Sequence, residues 1–165
     1  ASSTGEEPYT IMICLMELIS NLHNWDLKML ATDLSTKVLA KAKNGIYEKK
    51  QLQSMPPILI SKYFDRIERE GCKYYHVKPL LKNYITYARF NLMSERFPFK
   101  GKFDFIFCRN VMIYFDRPTQ ETLVNKLASF LEPRGYLFIG HSETLPVSTK
   151  SYLKSIGPAL YQKIG

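Results

Sequence analysis

Four hydrogen-bonding side chains stand where apolar stretches of this sequence stop. They are Asp33 after WDLKMLAT, Asn91 after the run that ends at Phe90, Asn110 after KFDFIFC, and His141 after the run that ends at Gly140. One carboxylate, two amides and an imidazole suit recognition of polar groups better than nucleophilic attack. In an open α/β sheet, ligands bind beyond the carboxyl ends of the strands. Four polar strand ends gathered on one rim favour a small-molecule site over simple solvation. The three cysteines, Cys14, Cys72 and Cys108, are far apart and form no CxxC pair, so buried, reduced thiols are expected. The three histidines are equally scattered, so no metal site is expected, and neither a Cys–His pair nor a Ser–His–Asp set is evident.

The loop Ser3-Thr4-Gly5-Glu6-Glu7 narrows the ligand. A dinucleotide site needs backbone amides around a pyrophosphate, usually from GxGxxG. This loop has one glycine and two carboxylates, which repel a pyrophosphate and disfavour NAD or a nucleoside triphosphate. They suit a cationic ligand with a ribose, and S-adenosylmethionine has a sulfonium, an ammonium and no phosphate. Asp33 stands where an acidic residue accepts both ribose hydroxyls, through charge-assisted bonds of about 1.5 to 3 kcal/mol each. Helix capping is the alternative reading of Glu6 and Glu7, and sequence leaves it open.

The elements that must position these residues alternate between helix and strand, the pattern of a mostly parallel sheet covered by helices. Gly5-Glu6-Glu7-Pro8 opens a helix expected to reach Leu22, with Ile11, Leu15, Leu18 and Leu22 on one face. Trp25 to Thr32 reads as a strand ending at Asp33. Ser35 caps the helix that follows, which Gly45 closes. Residues 46–84 differ in composition: Pro56-Pro57, a short helix near Ile58 to Phe64, and strands on either side of Gly71 predict a small inserted, partly antiparallel subdomain. Tyr84 to Phe90 and Lys102 to Cys108 are expected core strands. Pro118 starts a helix through Leu131, Pro133-Arg134-Gly135 turns the chain, and Tyr136 to Ile139 and Ala159 to Ile164 are strands.

With 165 residues, 45% hydrophobic and 23% charged, the chain fits one soluble domain with a small insertion. No apolar run reaches the roughly 18 to 20 residues of a membrane span, and no signal peptide or membrane insertion is expected. The excess of 23 basic over 15 acidic residues gives +8. Those basic residues are dispersed and no nucleic-acid motif accompanies them, so a solvated basic face, or one that docks an acidic protein surface, is expected and nucleic acid is not.

SSTGEEPYT at 2–10, ATDLSTKVLAKAKNGIY at 31–47, FNL at 90–92, FDFIFCRNVMIYFD at 103–116 and LEPRGYLFIGHSETL at 131–145 together resemble the chemotaxis receptor methyltransferase family, CheR. The resemblance runs over nearly the whole chain. It implies a doubly wound, Rossmann-like domain that transfers a methyl group from S-adenosylmethionine to glutamates of methyl-accepting chemoreceptors in the cytoplasm, leaving S-adenosylhomocysteine. It implies a cofactor site at Glu7, Asp33, Asn91, Leu92, Asn110 and Val111. The inserted stretch resembles the family's β-subdomain, which in some members takes the receptor's C-terminal peptide as an added strand. Family members also carry an N-terminal helical domain and a first core strand ahead of STGEE. Both are expected to be missing from these residues, which leaves two strands without their central neighbour.

Methyl transfer to a carboxylate is an in-line displacement, and a glutamate with a pKa near about 4.3 is already an anion at neutral pH. No general base is required, in keeping with the lack of a catalytic triad. Tyr114, four residues beyond Asn110, is the candidate for orienting the acceptor, with aromatic packing as its alternative. Arg109 is the candidate for attracting the acceptor carboxylate, with a structural ion pair as its alternative. The rival functions are a nucleic-acid methyltransferase and a non-catalytic module that binds cofactor or receptor. For the first, Asn110 to Tyr114 loosely echoes Asn-Pro-Pro-Tyr without either proline.

Overall fold

In the computed structural model, which describes residues 1–165 apart from the side chain of His23, helices and strands alternate along the chain. The chain divides into two units, Ala1–Asn91 and Leu92–Gly165. Its mixed helix and sheet content is that of an α/β protein.

In the first unit, α1 spans Glu6–Leu18, with Gly5 as its N-cap at φ 94° and both acidic residues in its first turn. Tyr9, Met12 and Ile13 form its buried face. That face is not the Ile11, Leu15, Leu18 and Leu22 stripe expected from the sequence, and Leu18 is 80% exposed. The helix also stops a turn early. Ile19 is extended, and Asn21 adopts the left-handed conformation at φ 57°. Strand β1 is Met29–Asp33 and pairs in parallel with β5, Ile85–Arg89, from Met29 opposite Ile85 to Asp33 opposite Arg89. The expected start at Trp25 is too early, because the ladder begins only where β5 supplies a partner. Between them lies α2, Thr36–Asn44, where the Ser35 hydroxyl accepts from the Val38 N–H and Gly45 closes the helix at φ 60°.

The remainder of this unit consists of β2 (Ile46–Glu48), α3 (Pro57–Tyr63), β3 (Phe64–Arg69), β4 (Cys72–Val77) and α4 (Pro79–Lys82). The three strands form an antiparallel sheet in the order β2-β4-β3, with Gly71 in the β3–β4 turn at φ 73°. Tyr9, Met12, Ala31, Leu39, Tyr47, Val77 and Leu81 belong to one buried cluster. Full burial of a side chain such as Leu81 stabilises the fold by about 1.5 to 3 kcal/mol.

In the second unit, β6 (Phe103–Cys108) runs parallel to β7 (Leu131–Ile139), and β8 (Leu153–Gly157) and β9 (Leu160–Lys163) complete a sheet in the order β6-β7-β9-β8. Helix α5, Arg117–Ser129, starts at Asp116, whose carboxylate accepts from the Thr119 N–H at 3.0 Å, and buries Leu123, Val124, Leu127 and Ala128. Leu131 continues the helical spacing of Leu123 and Leu127, but it is the first residue of β7 and fully buried. The expected Pro133-Arg134-Gly135 turn is an irregularity within that strand: Arg134 has φ 66°, and the register slips between Phe103 and Phe105. β8 was not anticipated.

Two further expectations are corrected. Only Cys108 is a buried thiol; Cys14 and Cys72 are exposed. β6 is less buried than its composition implies, with Phe105 49% exposed. Its aromatic residues pack chiefly along the sheet, Phe105 stacking on Tyr136 and Phe107 on Phe138 at centroid distances of 5.7 and 4.2 Å.

Candidate functional site

The first loop is fixed from below by tyrosines. A Cβ on Gly5 would lie 2.8 Å from the Ala42 Cβ and 2.8 Å from the Tyr47 hydroxyl, so only glycine lets the loop settle onto α2. The Tyr47 hydroxyl donates to the Thr4 carbonyl at 2.7 Å, and the Tyr9 hydroxyl donates to the Ala42 carbonyl at 2.8 Å. Burial first, and the negative charge of Glu6 second, push the Tyr47 phenol well above its ordinary range, so it remains a donor. The loop's two carboxylates part ways. Glu6 accepts from the Thr4 hydroxyl at 2.6 Å and from the Gln51 amide at 2.7 Å. It lines a groove of about 250 Å³ together with Thr10, Met55 and Leu59. Glu7 is half-buried in the first turn of α1.

Asp33, the last residue of β1, is half-buried and close to this loop. Its Oδ2 accepts from the Ser3 N–H at 2.9 Å and its Oδ1 from the Ser35 N–H at 3.0 Å. The Ser2 N–H donates to the Thr32 carbonyl at 2.7 Å, which holds the loop along β1. The Phe90 N–H donates to the Asp33 carbonyl at 3.0 Å, so the exposed Asn91 lies just past the end of β5 beside Asp33. Each Asp33 oxygen uses one acceptor position on the backbone and retains a second. Within this unit, Glu7, Asp33 and Asn91 are thus linked through the backbone of two loops.

The second unit builds its loop differently. Asn110 follows β6 with φ 57°, a left-handed conformation that asparagine tolerates better than most residues. Val111 is half-buried and leads into a 3-10 turn at Met112–Tyr114. The amides of this turn converge on Glu143, which sequence reading did not single out. Its Oε1 accepts from Val111 at 2.9 Å, Met112 at 2.8 Å and Ile113 at 3.3 Å. Its Oε2 accepts from Asn110 at 3.1 Å and Gly140 at 2.6 Å. Glu143 is 7% exposed. Consecutive amides at the start of a helical turn form an anion-binding nest, and here the anion belongs to the chain itself. The one signal available in sequence was a carboxylate three residues after the glycine that ends a strand.

The other expected residues of this unit flank the nest. Arg109 is half-buried between Cys108 and Asn110, and Tyr114 is 79% exposed at the end of the 3-10 turn. Among the described residues Tyr114 is not packed under the sheet edge. Leu92 packs against the buried cluster of this unit, as does Val111. His141 is exposed in the loop after β7.

In the second unit Glu143 occupies the converging N–H groups, and in the first Asp33 takes those of Ser3 and Ser35. The arrangement offers carboxylate and amide side chains to a ligand, which suits a cation with hydroxyls rather than a phosphate ester.

Residues 1–160 match the profile of a family described as CheR methyltransferase, SAM binding domain. A probable chemotaxis protein methyltransferase of Rhizobium etli is 42% identical over 98% of this chain and 60% of the relative. The chemotaxis protein methyltransferase of Borreliella burgdorferi is 45% identical over 98% of this chain and 56% of its own length. That of Escherichia coli is 41% identical over 87% and 50%. The chain therefore spans about half to three fifths of the curated relatives it matches.

Proposed function

The chain belongs to the CheR methyltransferase family through its SAM-binding domain, and we propose from that premise that the protein methylates glutamate side chains of bacterial chemoreceptors, with S-adenosylmethionine as donor. The relatives named as chemotaxis protein methyltransferases support receptors as the substrate class. One structural observation carries the donor reading: each oxygen of Asp33 takes a single backbone amide and keeps an acceptor position for a ribose hydroxyl. A phosphate-bearing cofactor would meet this carboxylate and Glu7 unfavourably.

The residues that would hold the donor in this reading are Glu7, Asp33, Asn91, Leu92, Asn110 and Val111. Asp33 binds the ribose, Asn91 and Asn110 offer amides to adenine edges or the amino-acid moiety, and Leu92 and Val111 supply apolar walls. Glu7, half-buried in the first turn of α1, is the carboxylate this reading assigns to the donor's positive charge. When bound, S-adenosylmethionine supplies an electrophilic methyl group on a sulfonium.

The protein's task is then to strip water from an acceptor already ionised and to align it. No side chain needs to remove a proton. Exposed Tyr114 orients the acceptor carboxylate through its hydroxyl, and Arg109 attracts it. The β2-β4-β3 sheet leaves β2 and β3 each with one hydrogen-bonded neighbour, an arrangement that accepts an added strand. A C-terminal receptor peptide is the strand this reading assigns there. Receptors of this class expose their methylated glutamates in the cytoplasm, where the protein would act.

Incubating the protein with methyl-labelled S-adenosylmethionine and receptor-containing membranes tests the proposal. Label on the receptor that mild base releases as methanol is expected. Base-stable label, or none, would contradict a carboxyl ester.

A further inference from the structure

We propose that Glu143 is a positioning residue of the donor site: its carboxylate sets the turn at 110–113 and thereby the side chains of Asn110 and Val111. This inference rests on the proposed reading of that turn as part of the S-adenosylmethionine site. Four successive N–H groups, from Asn110 to Ile113, point to one carboxylate, and the Gly140 N–H joins them from the end of β7. Four amides pointing the same way repel one another unless an anion lies between them. Glu143 is that anion, and it is buried with the nest. Its own N–H donates to the Gly140 carbonyl at 3.0 Å, so the turn that carries it is closed as well.

Gly140 completes the device. A Cβ there would lie 2.6 Å from the Asn110 Oδ1, 2.8 Å from the Glu143 Oε2 and 3.0 Å from the Asn110 N. The Asn110 side chain therefore rests against a glycine backbone, and its left-handed φ of 57° is held by the bond from its N–H to Glu143. Backbone conformation, side-chain seat and amide direction at Asn110 all depend on the pair Gly140 and Glu143. Glu143 also fills the only strong anion nest of this loop, so a phosphate or an acceptor carboxylate has no seat there. It acts on a ligand only through Asn110 and Val111.

Two substitutions separate this role from general stability. Glu143→Gln keeps the shape but replaces one oxygen with an NH2 that cannot accept. Whichever way the amide turns, either the pair from Asn110 and Gly140 or the trio from Val111, Met112 and Ile113 loses its acceptor. Gly140→Ala keeps the charge and every donor but places a methyl where the Asn110 amide rests. Leu123→Ala, which opens the buried face of α5 but removes no donor or acceptor of the nest, is the control for lost stability.

The experiment is calorimetric titration of S-adenosylhomocysteine into the protein and these variants, with amide hydrogen exchange at residues 110–113. We expect Glu143→Gln and Gly140→Ala each to raise Kd at least tenfold, and Leu123→Ala to lower the melting temperature with Kd within twofold. In Glu143→Gln, exchange should quicken at least tenfold either at Asn110 and Gly140 or at Val111, Met112 and Ile113, whichever set loses its acceptor. In turnover, KM for the donor should rise more than kcat falls. A folded Glu143→Gln that binds like the unsubstituted protein overturns the inference alone. If that variant does not fold, unchanged affinity in Gly140→Ala overturns it. Failure of the unsubstituted protein to bind overturns the donor-site reading and this inference with it.

Discussion

Asp33 ends one parallel strand, Glu143 lies in the loop after another, and both accept backbone amides, yet the first unit leaves its carboxylate open while the second closes it. Asp33 is half-buried and takes two amides, one on each oxygen. Glu143 is buried and takes five, more than the roughly four lone-pair positions a carboxylate offers, so two of the donors share. Acceptor capacity left over after the backbone is satisfied is what a carboxylate has to offer a ligand. On that count the proposal makes Asp33 a binding residue and Glu143 a builder of the loop. The unequal anchoring also shows why the first unit needs its tyrosines: with only two amides on Asp33, the Gly5 loop is held by Tyr47 from beneath.

The contrast is sharpest in stability. Glu143→Ala strands several buried amides at once and should lower the unfolding free energy by about 3 to 4 kcal/mol in urea denaturation, near the upper end for single substitutions. Asp33→Ala should cost about 1 kcal/mol in the same measurement, because water reaches the amides it releases. Equal losses would break the comparison. Between these falls Gly5→Ala, which forces φ 94° on a residue with a Cβ and drives that atom into Ala42 and Tyr47; a loss of about 2 kcal/mol is expected. Ser35→Ala should cost about 0.5 kcal/mol, since its capping bond to Val38 is long at 3.4 Å.

The smallest effect is a pH dependence at the corresponding cap of the second unit. Bonds from the Thr119 side chain and then its N–H hold the Asp116 carboxyl below its usual range. A depressed folded pKa stabilises the protein above the unfolded value of about 3.9 and loses that contribution as pH falls through the folded value. The melting-temperature difference between the protein and Asp116→Asn should therefore be constant above about pH 5 and shrink on acidification below about 3.9. A difference that grew on acidification would reverse the assigned sign.

Local punctuation was legible in sequence. Ser35 and Gly45 bracket α2 as capping chemistry requires, Gly71 marks the β3–β4 turn, and Asp33, Asn91 and Asn110 stand at or just beyond strand ends as read. What sequence concealed depended on partners distant along the chain. Leu131 carries on the α5 leucine spacing, yet pairing with Phe103 makes it strand. The buried face of α1 is set by what Tyr9 and Met12 meet, and the periodicity of leucines pointed to a neighbouring stripe. Glu143 falls in the stretch that carries the family resemblance, but its role was hidden for the same reason: nothing local distinguishes it from a solvated glutamate, and its five donors come from residues 3 to 33 positions away. The family resemblance supplied the site positions that spacing alone could not.

One titration bears most directly on the central claim, that Asp33 and Asn110 hold an adenosyl donor. S-adenosylhomocysteine should bind the unsubstituted protein by calorimetry, and Asp33→Ala and Asn110→Ala should each weaken it at least tenfold, about 1.4 kcal/mol. Unchanged affinity in both variants, with both folded, would contradict it.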